Sequence, residues 1–391
     1  MSLYLDSNAT APLRPEVREA FLAALERVRG NPSSLHRQGR EARHLLDEAR
    51  ERIAAALAIH EEEVVFTSGG TESNNLAVLG ALRARPVGEG LAVSATEHSS
   101  VLGPARELER EGRPLTLLPV DRTGTVELAA VESALAERTH ALLAVMAANN
   151  EIGTCAPFAE LRAALERAPR RPLLHVDAVQ ALGRIPVRLA EWGADLASFS
   201  LHKVGAPVGI GLLYRRRGVA LRPLCFGGEQ EHGLRPGTEN VAGAVAAALA
   251  VELAVCEQEE HARRLTEGTR QLWGELVKQL GPIQLVGLPL EHPRRLPGTL
   301  NLHAPGVDGK VLVMRLDLAG LACSAGSACA SGSLEPSHVL LALGHDETVA
   351  RAALRLSLPR DFGAETVRKT VESLWTTLGE PRVKRDSPTG L

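Results

Sequence analysis

The run Ser198-Phe199-Ser200-Leu201-His202-Lys203 sets a lysine behind a hydroxyl and an imidazole, at the end of an apolar stretch. Burying an ammonium is costly, so a lysine closing a core strand needs a reason. One reason is a covalent Schiff base, in which the amine attacks an aldehyde. The plain alternative is a side chain that snorkels to water, and other residues must decide between them. Thr67-Ser68-Gly69-Gly70-Thr71 joins a strand to a helix through two glycines. Open N–H groups at a helix start favour a phosphate there, although Thr71 could equally be a simple cap. The turn matches neither a Walker loop nor GxGxxG, so ATP or a dinucleotide is not indicated.

His175-Val176-Asp177-Ala178-Val179-Gln180 follows a buried strand, which puts Asp177 where doubly wound folds bind ligands. Its carboxylate could pair with a protonated pyridine nitrogen and keep that ring an electron sink, or it could cap the next helix. Gln180 would face the same side one helical turn later. His98, in Thr96-Glu97-His98-Ser99-Ser100, follows another strand and could stack on an aromatic cofactor and shuttle protons, or could simply be a capping or hydrogen-bonded residue. Asn149, in Asn149-Asn150-Glu151, has the same placement and could bond a ring oxygen or a substrate carboxylate.

Ser324 to Ser333 consists of small residues with little to bury, so the segment is expected to be mobile and Cys329 exposed on it. An exposed thiol becomes a nucleophile if its pKa is lowered or a base is near; otherwise Cys329 is an inert small residue in a flexible loop. Cys323 is expected to pack, and Cys155, Cys225 and Cys256 to be structural. Arg355 interrupts the apolar strand Ala353 to Ser357; a guanidinium there could grip a carboxylate bidentately or face water from an edge. Phe226 to Asn240 is a glycine-rich loop with no structural excuse for its length.

These residues need a scaffold that gathers strand ends. Strand-like and helix-like segments alternate from about residue 15 to 215, which argues for an α/β domain with a mostly parallel sheet covered on both faces. Residues 209–214 suit a further, antiparallel strand. A long helical region, 238–280, is expected to break near Gly268 and to lead into a smaller α+β portion. The boundaries read as 16–250 for the large domain, with 1–15 and 251–381 for the small one. The small domain carries the cysteine loop at 322–333, and 382–391 is expected to be a disordered tail. The 391 residues are 45% hydrophobic and 23% charged, with net charge -3, so nothing favours nucleic acid or an anionic membrane. The apolar run 241–255 is short and carries Glu252, and the first residues lack a targeting pattern. Five cysteines without a CxxC pair argue against a disulfide framework or a zinc site. A reducing, cytoplasmic setting is the expectation.

Taken together, the chain resembles the NifS/IscS-type cysteine desulfurases, class V, fold-type I pyridoxal-phosphate enzymes. The resemblance runs from Leu5-Asp6-Ser7-Asn8-Ala9-Thr10 to Leu354-Arg355-Leu356-Ser357, with motifs in the family's order. It implies a seven-stranded, mainly parallel sheet in the large domain and pyridoxal 5'-phosphate joined to Lys203. Gly70, Thr71, Ser200 and His202 would hold the phosphate, with Thr238 serving the neighbouring subunit of a homodimer. Asp177 would take the ring nitrogen, Gln180 the ring hydroxyl and His98 the ring face. Asn149 and Arg355 would orient L-cysteine, and Cys329 would take its sulfur as a persulfide for an acceptor such as an iron–sulfur scaffold. No resident metal is implied; transient ligation of a cluster by Cys329 stays open. The chain departs from the family pattern at Leu201, Val208, Glu229, His232 and Pro359. A selenocysteine lyase is the nearest alternative, with a non-catalytic partner protein and an aminotransferase of the same fold type behind it.

Overall fold

The computed structural model describes residues 3–280, 283–304, 306–326 and 335–378; Cys329 and the expected tail 382–391 lie outside the described residues. The strands in chain order are β1 (Leu3–Tyr4), β2 (Val64–Thr67), β3 (Gly90–Ser94), β4 (Leu115–Leu118), β5 (His140–Ala144) and β6 (Leu173–Asp177). They continue with β7 (Leu196–Ser200), β8 (Gly211–Arg215), β9 (Gln284–Leu285), β10 (Thr299–His303), β11 (Leu321–Ala322) and β12 (Ala353–Ser357). Seven form one sheet in the order β2-β8-β7-β6-β5-β3-β4. Only β8 runs against its neighbours, pairing antiparallel with β2 and β7, while β7 to β4 are parallel throughout. The α/β sheet anticipated from the alternation is thus present, reversed strand included.

Alternation along each strand explains why both faces are covered. On β5, Leu142 and Ala144 join a core with Leu76, Val101 and Leu108, from helices 70–83 and 99–110. Leu143 joins the opposite core, with Leu46, Ile53, Phe199 and the alanines of helix 241–256. Parallel strands leave their carboxyl ends along one edge, and there the chain must turn into a helix each time. A separate antiparallel sheet, β12-β10-β9, forms a third core with Leu265, Leu272 and Leu316. The N-terminal segment ties into that region, since β1 pairs parallel with β11 and Asp6 bridges Ser357.

Two sequence expectations change. The long helical region breaks at Glu257, where helices Val241–Cys256 and Gln258–Leu280 meet at 66°, not at Gly268. Gly268 lies inside the second helix because the Phe362 ring packs where a Cβ would stand, 2.7 Å away. Cys155 and Cys323 are buried, but Cys225 and Cys256 are exposed. Cys225 sits in an irregular segment beside Phe226, itself 88% exposed, and Cys256 ends its helix on the outer side.

Gly211, at the start of β8, faces the backbone of Gly69, whose Cα, C and N lie 2.5–2.8 Å from the position of a Cβ. No flexible side chain can yield there. Gly211→Val is expected to cost about 2 kcal/mol or more, read as a clear drop in melting temperature; an unchanged melt would contradict this account of the turn.

Candidate active site

Five strand ends deliver the chemistry. After β2 the turn at Gly69 opens helix 70–83. After β3 comes Thr96 to Ser100, after β5 Met146 to Glu151, after β6 Asp177 to Gln180, and after β7 the short helical turn Leu201–Val204. Gly70, Thr71, His98, Asp177, Gln180, Ser200, His202, Lys203 and Arg355 converge on one cavity of about 200 Å³. Asn8, Asn74, Ser100 and Asn150 also border it, with Ala9, Met146 and Val179.

Lys203 does not extend to water. Its Nζ donates to the carbonyl of Asn8 at 2.6 Å and to that of Ala9. Asp177, 4% exposed, is fixed at both oxygens: Asn74 Nδ2 donates to Oδ2 at 2.7 Å and the Val179 N–H to Oδ1 at 3.0 Å. Asn74 also donates to Ser100 Oγ at 2.8 Å, which lies 2.6 Å from His98 Nδ1. That Nδ1 accepts the Ser100 backbone N–H as well, capping helix 99–110, so a neutral His98 ring carries its proton on Nε2.

Arg355 is not an edge residue facing water. It is 1% exposed, with Nη2 donating to Asp6 Oδ1 at 2.6 Å and Nη1 to the Asn150 carbonyl at 3.2 Å. The pair aligns a guanidinium that burial alone would disfavour. His202 sits 2.6 Å from Thr10 Oγ1, and burial followed by the charge of Lys203 pushes it down to about 4, so it is neutral at neutral pH.

Two expected residues stand elsewhere. Asn149 lies behind the wall with its amide spent: Nδ2 donates to the Thr96 carbonyl at 3.0 Å, and Oδ1 accepts from the N–H groups of Glu151 and Ile152. Its neighbour Asn150 borders the cavity instead. Thr238 is exposed on the 226–240 loop, with Asn31 Nδ2 3.5 Å from its hydroxyl, outside the cavity of its own chain. That loop is pinned by Glu231, which accepts from Arg50 and from the Phe66 N–H at 2.7 Å; Glu231 and His232 take positive φ of 47° and 59°. Of the departures from the family pattern, Leu201 is wholly buried in the core and Val208 is 82% exposed.

Asn8, Asn74, Ser100 and Asn150 were not singled out from the sequence. Asn74 had a signal, because it lies one turn after Gly70-Thr71 on the same helix face. Asn8 had none, since only tertiary folding brings it to Lys203.

The donor set fits pyridoxal phosphate. Gly70 opens its helix where a Cβ would stand 3.0 Å from both Ser200 Cβ and Val179 Cγ2, leaving a tight cradle of backbone and hydroxyl. Gln180 Oε1, Asn74 Oδ1 and Arg355 Nε are buried without a hydrogen-bond partner, as groups awaiting a polar ligand would be.

Glu97 lies beneath the site, fully buried, accepting the Met146 N–H at 2.5 Å. Burial, reinforced by the Asp177 charge, lifts its carboxyl well above the usual 4.5. A raised acid contributes stability that is complete below its unfolded pKa and is lost as pH climbs towards the folded one. Glu97→Gln should therefore gain stability relative to the native chain as pH rises above about 4.5, in paired denaturant titrations. A pH-independent difference would show that Glu97 ionises normally.

The class-V aminotransferase family description matches residues 3–369. The chain is 43% identical over 373 residues to the cysteine desulfurase IscS of Dictyoglomus turgidum, covering 95% of this chain and 93% of that one. A solved NifS-like protein superposes with a TM-score of 0.88 at 35% identity, covering 96% of this chain and 98% of the other. SspA, solved in complex with cysteine, gives 0.78 at 31% identity, covering 92% and 99%.

Proposed function

Because this chain belongs to the class-V aminotransferase family and, within it, to the cysteine desulfurases, we propose that it moves the sulfur of L-cysteine to Cys329 and on to an acceptor protein, releasing L-alanine. The observation that carries this reading is the convergence of Lys203, Asp177, His98 and Arg355 on one cavity.

Gly70, Thr71, Ser200 and His202 would hold the phosphate of pyridoxal phosphate, Asp177 its ring nitrogen, Gln180 its ring hydroxyl, His98 its ring face and Lys203 its aldehyde. When bound, the group supplies a carbonyl for amine condensation and a ring that accepts the electron pair left by the lost Cα proton. Arg355, prealigned by Asp6, grips the substrate carboxylate, and Asn150 stands where Asn149 was expected to help. Lys203 must surrender a proton before it can act as nucleophile or base. The carbonyls of Asn8 and Ala9, which accept from its Nζ, would hold the amine beside the cofactor once the substrate has displaced it. His98, with its proton on Nε2, would return a proton to the alanine carbon from which the sulfur departs. At Cys329 the balance is simple: a sulfur–sulfur bond forms as the substrate carbon–sulfur bond breaks, and the thiol proton ends on alanine.

The protein acts as a homodimer in which Thr238 of one protomer completes the phosphate site of its partner; its exposed position supports this. A reducing cytoplasm suits a thiol nucleophile. The acceptor is a sulfur-receiving protein such as an iron–sulfur scaffold, in keeping with the IscS name of the relative.

Purified protein should release alanine and, with a thiol reductant, sulfide from L-cysteine; running L-selenocysteine in parallel decides between the two activities. Turnover of selenocysteine alone would overturn the desulfurase reading in favour of a lyase. Cys329→Ser should keep the cofactor's absorbance and lose about three orders of magnitude or more in sulfide release. Lys203→Ala should lose the absorbance band of the covalently held cofactor, and an unaltered spectrum would remove Lys203 from that role.

A further inference from the structure

Lys203 forms part of the wall of two cavities. The second, of about 160 Å³, lies where the 7–15 segment, the turn at 182–184, the Glu257 helix junction and Leu358 to Asp361 meet. Arg355 borders only the first cavity and Arg184 only the second.

Arg184 is 7% exposed, and among the described residues its side chain donates from Nη1 to Asn8 Oδ1. Among the described residues no carboxylate pairs with it. Burial, reinforced by the like charge of Arg355, brings it down to about 10, still protonated at neutral pH. The other arginines of the cavity differ, because Glu257 accepts from Arg14 at 3.0 Å and also pairs with Arg360. A buried guanidinium without a counter-charge is costly, and a bidentate anion would relieve that cost. The remaining wall carries Ser7, His261 and Asp361 beside an apolar stretch of Leu182, Val204, Ala254 and Leu358. The cavity has room for a molecule of a few heavy atoms. Its lining disfavours phosphate or sulfate, which carry oxygens on every side and would leave them unpaired.

We propose that this second cavity is a binding site for a small organic carboxylate, held by Arg184 with its short hydrocarbon chain on Leu182, Val204 and Leu358. Such an occupant touches Lys203 without competing for Arg355, and the site stands whether or not the desulfurase reading holds.

The test is calorimetric titration of the full-length holoenzyme with sodium butyrate at fixed ionic strength, together with a crystal structure grown in butyrate. Binding is expected to survive Arg355→Ala, to weaken about tenfold or more in Arg184→Gln and to be partly restored in Arg184→Lys. The crystal should place the carboxylate against Arg184. If Arg184→Gln does not fold, Leu13→Trp, at a wall position already 41% exposed, should block the cavity and give the same loss. Butyrate binding that disappears in Arg355→Ala and is indifferent to Arg184→Gln or Leu13→Trp would overturn the proposal. Arg184-dependent binding of inorganic phosphate as tight as that of butyrate would overturn the carboxylate assignment.

Discussion

The site hangs on how one asparagine distributes its hydrogen bonds. Asn8 is 2% exposed and commits every polar atom it has. Its backbone N–H donates to Ser357 Oγ at 2.9 Å, and its Nδ2 donates to the Asn150 carbonyl at 2.9 Å and to Thr299 Oγ1 at 3.1 Å. Its carbonyl accepts from Gln180 at 3.1 Å and from Lys203 at 2.6 Å, while its Oδ1 accepts from Arg184. Two small-sheet strands, β10 and β12, are thereby joined to the residues that flank the large sheet's carboxyl edge. Each such bond adds only about 1 kcal/mol net, but leaving its buried partners unmade costs more than that. The cavity therefore exists only while both sheets hold Asn8 in place.

The charges around this hub are sorted by burial. Asp177 gathers two hydrogen bonds, whereas burial, reinforced by the Asp177 charge, raises the carboxyl of Glu97 beneath it. His175, two residues before Asp177 on the same strand face, is driven to about 4 by burial and stays neutral, with Nε2 3.0 Å from Ser198 Oγ. His202 is neutral for the same reason. Histidines aside, the acidic and basic side chains bordering the main cavity are Asp177 against Lys203 and Arg355. That separation of sign suits a zwitterionic substrate and a phosphorylated, ring-nitrogen-bearing cofactor.

Much of this was legible because it is local. The helix start at Gly70-Thr71, the strand-end Asp177 and the lysine after β7 each follow from an apolar run ending in a polar residue. In a parallel sheet those ends share one edge, so their convergence could be anticipated before any coordinates. What escaped was long-range or a matter of one residue's register. Asn8 lies 195 positions from the lysine it holds. Asn149 and Asn150 differ by a single step, and the turn at 149–153 spends the first amide internally while turning the second to the cavity. Gly268 looked like a break because glycine is a poor helix former, yet the Phe362 ring requires it. Cys225 looked structural from its apolar neighbours, but the loop leaves both it and Phe226 in solvent.

The most direct test of the central claim is the fate of the sulfur atom. Holoenzyme exposed to one equivalent of L-cysteine without reductant, alkylated and digested, should show one added sulfur on the peptide containing Cys329 and one alanine per sulfur. Sulfur on the peptides of the exposed Cys225 or Cys256, or alanine formed with no sulfur on the protein, would contradict the account.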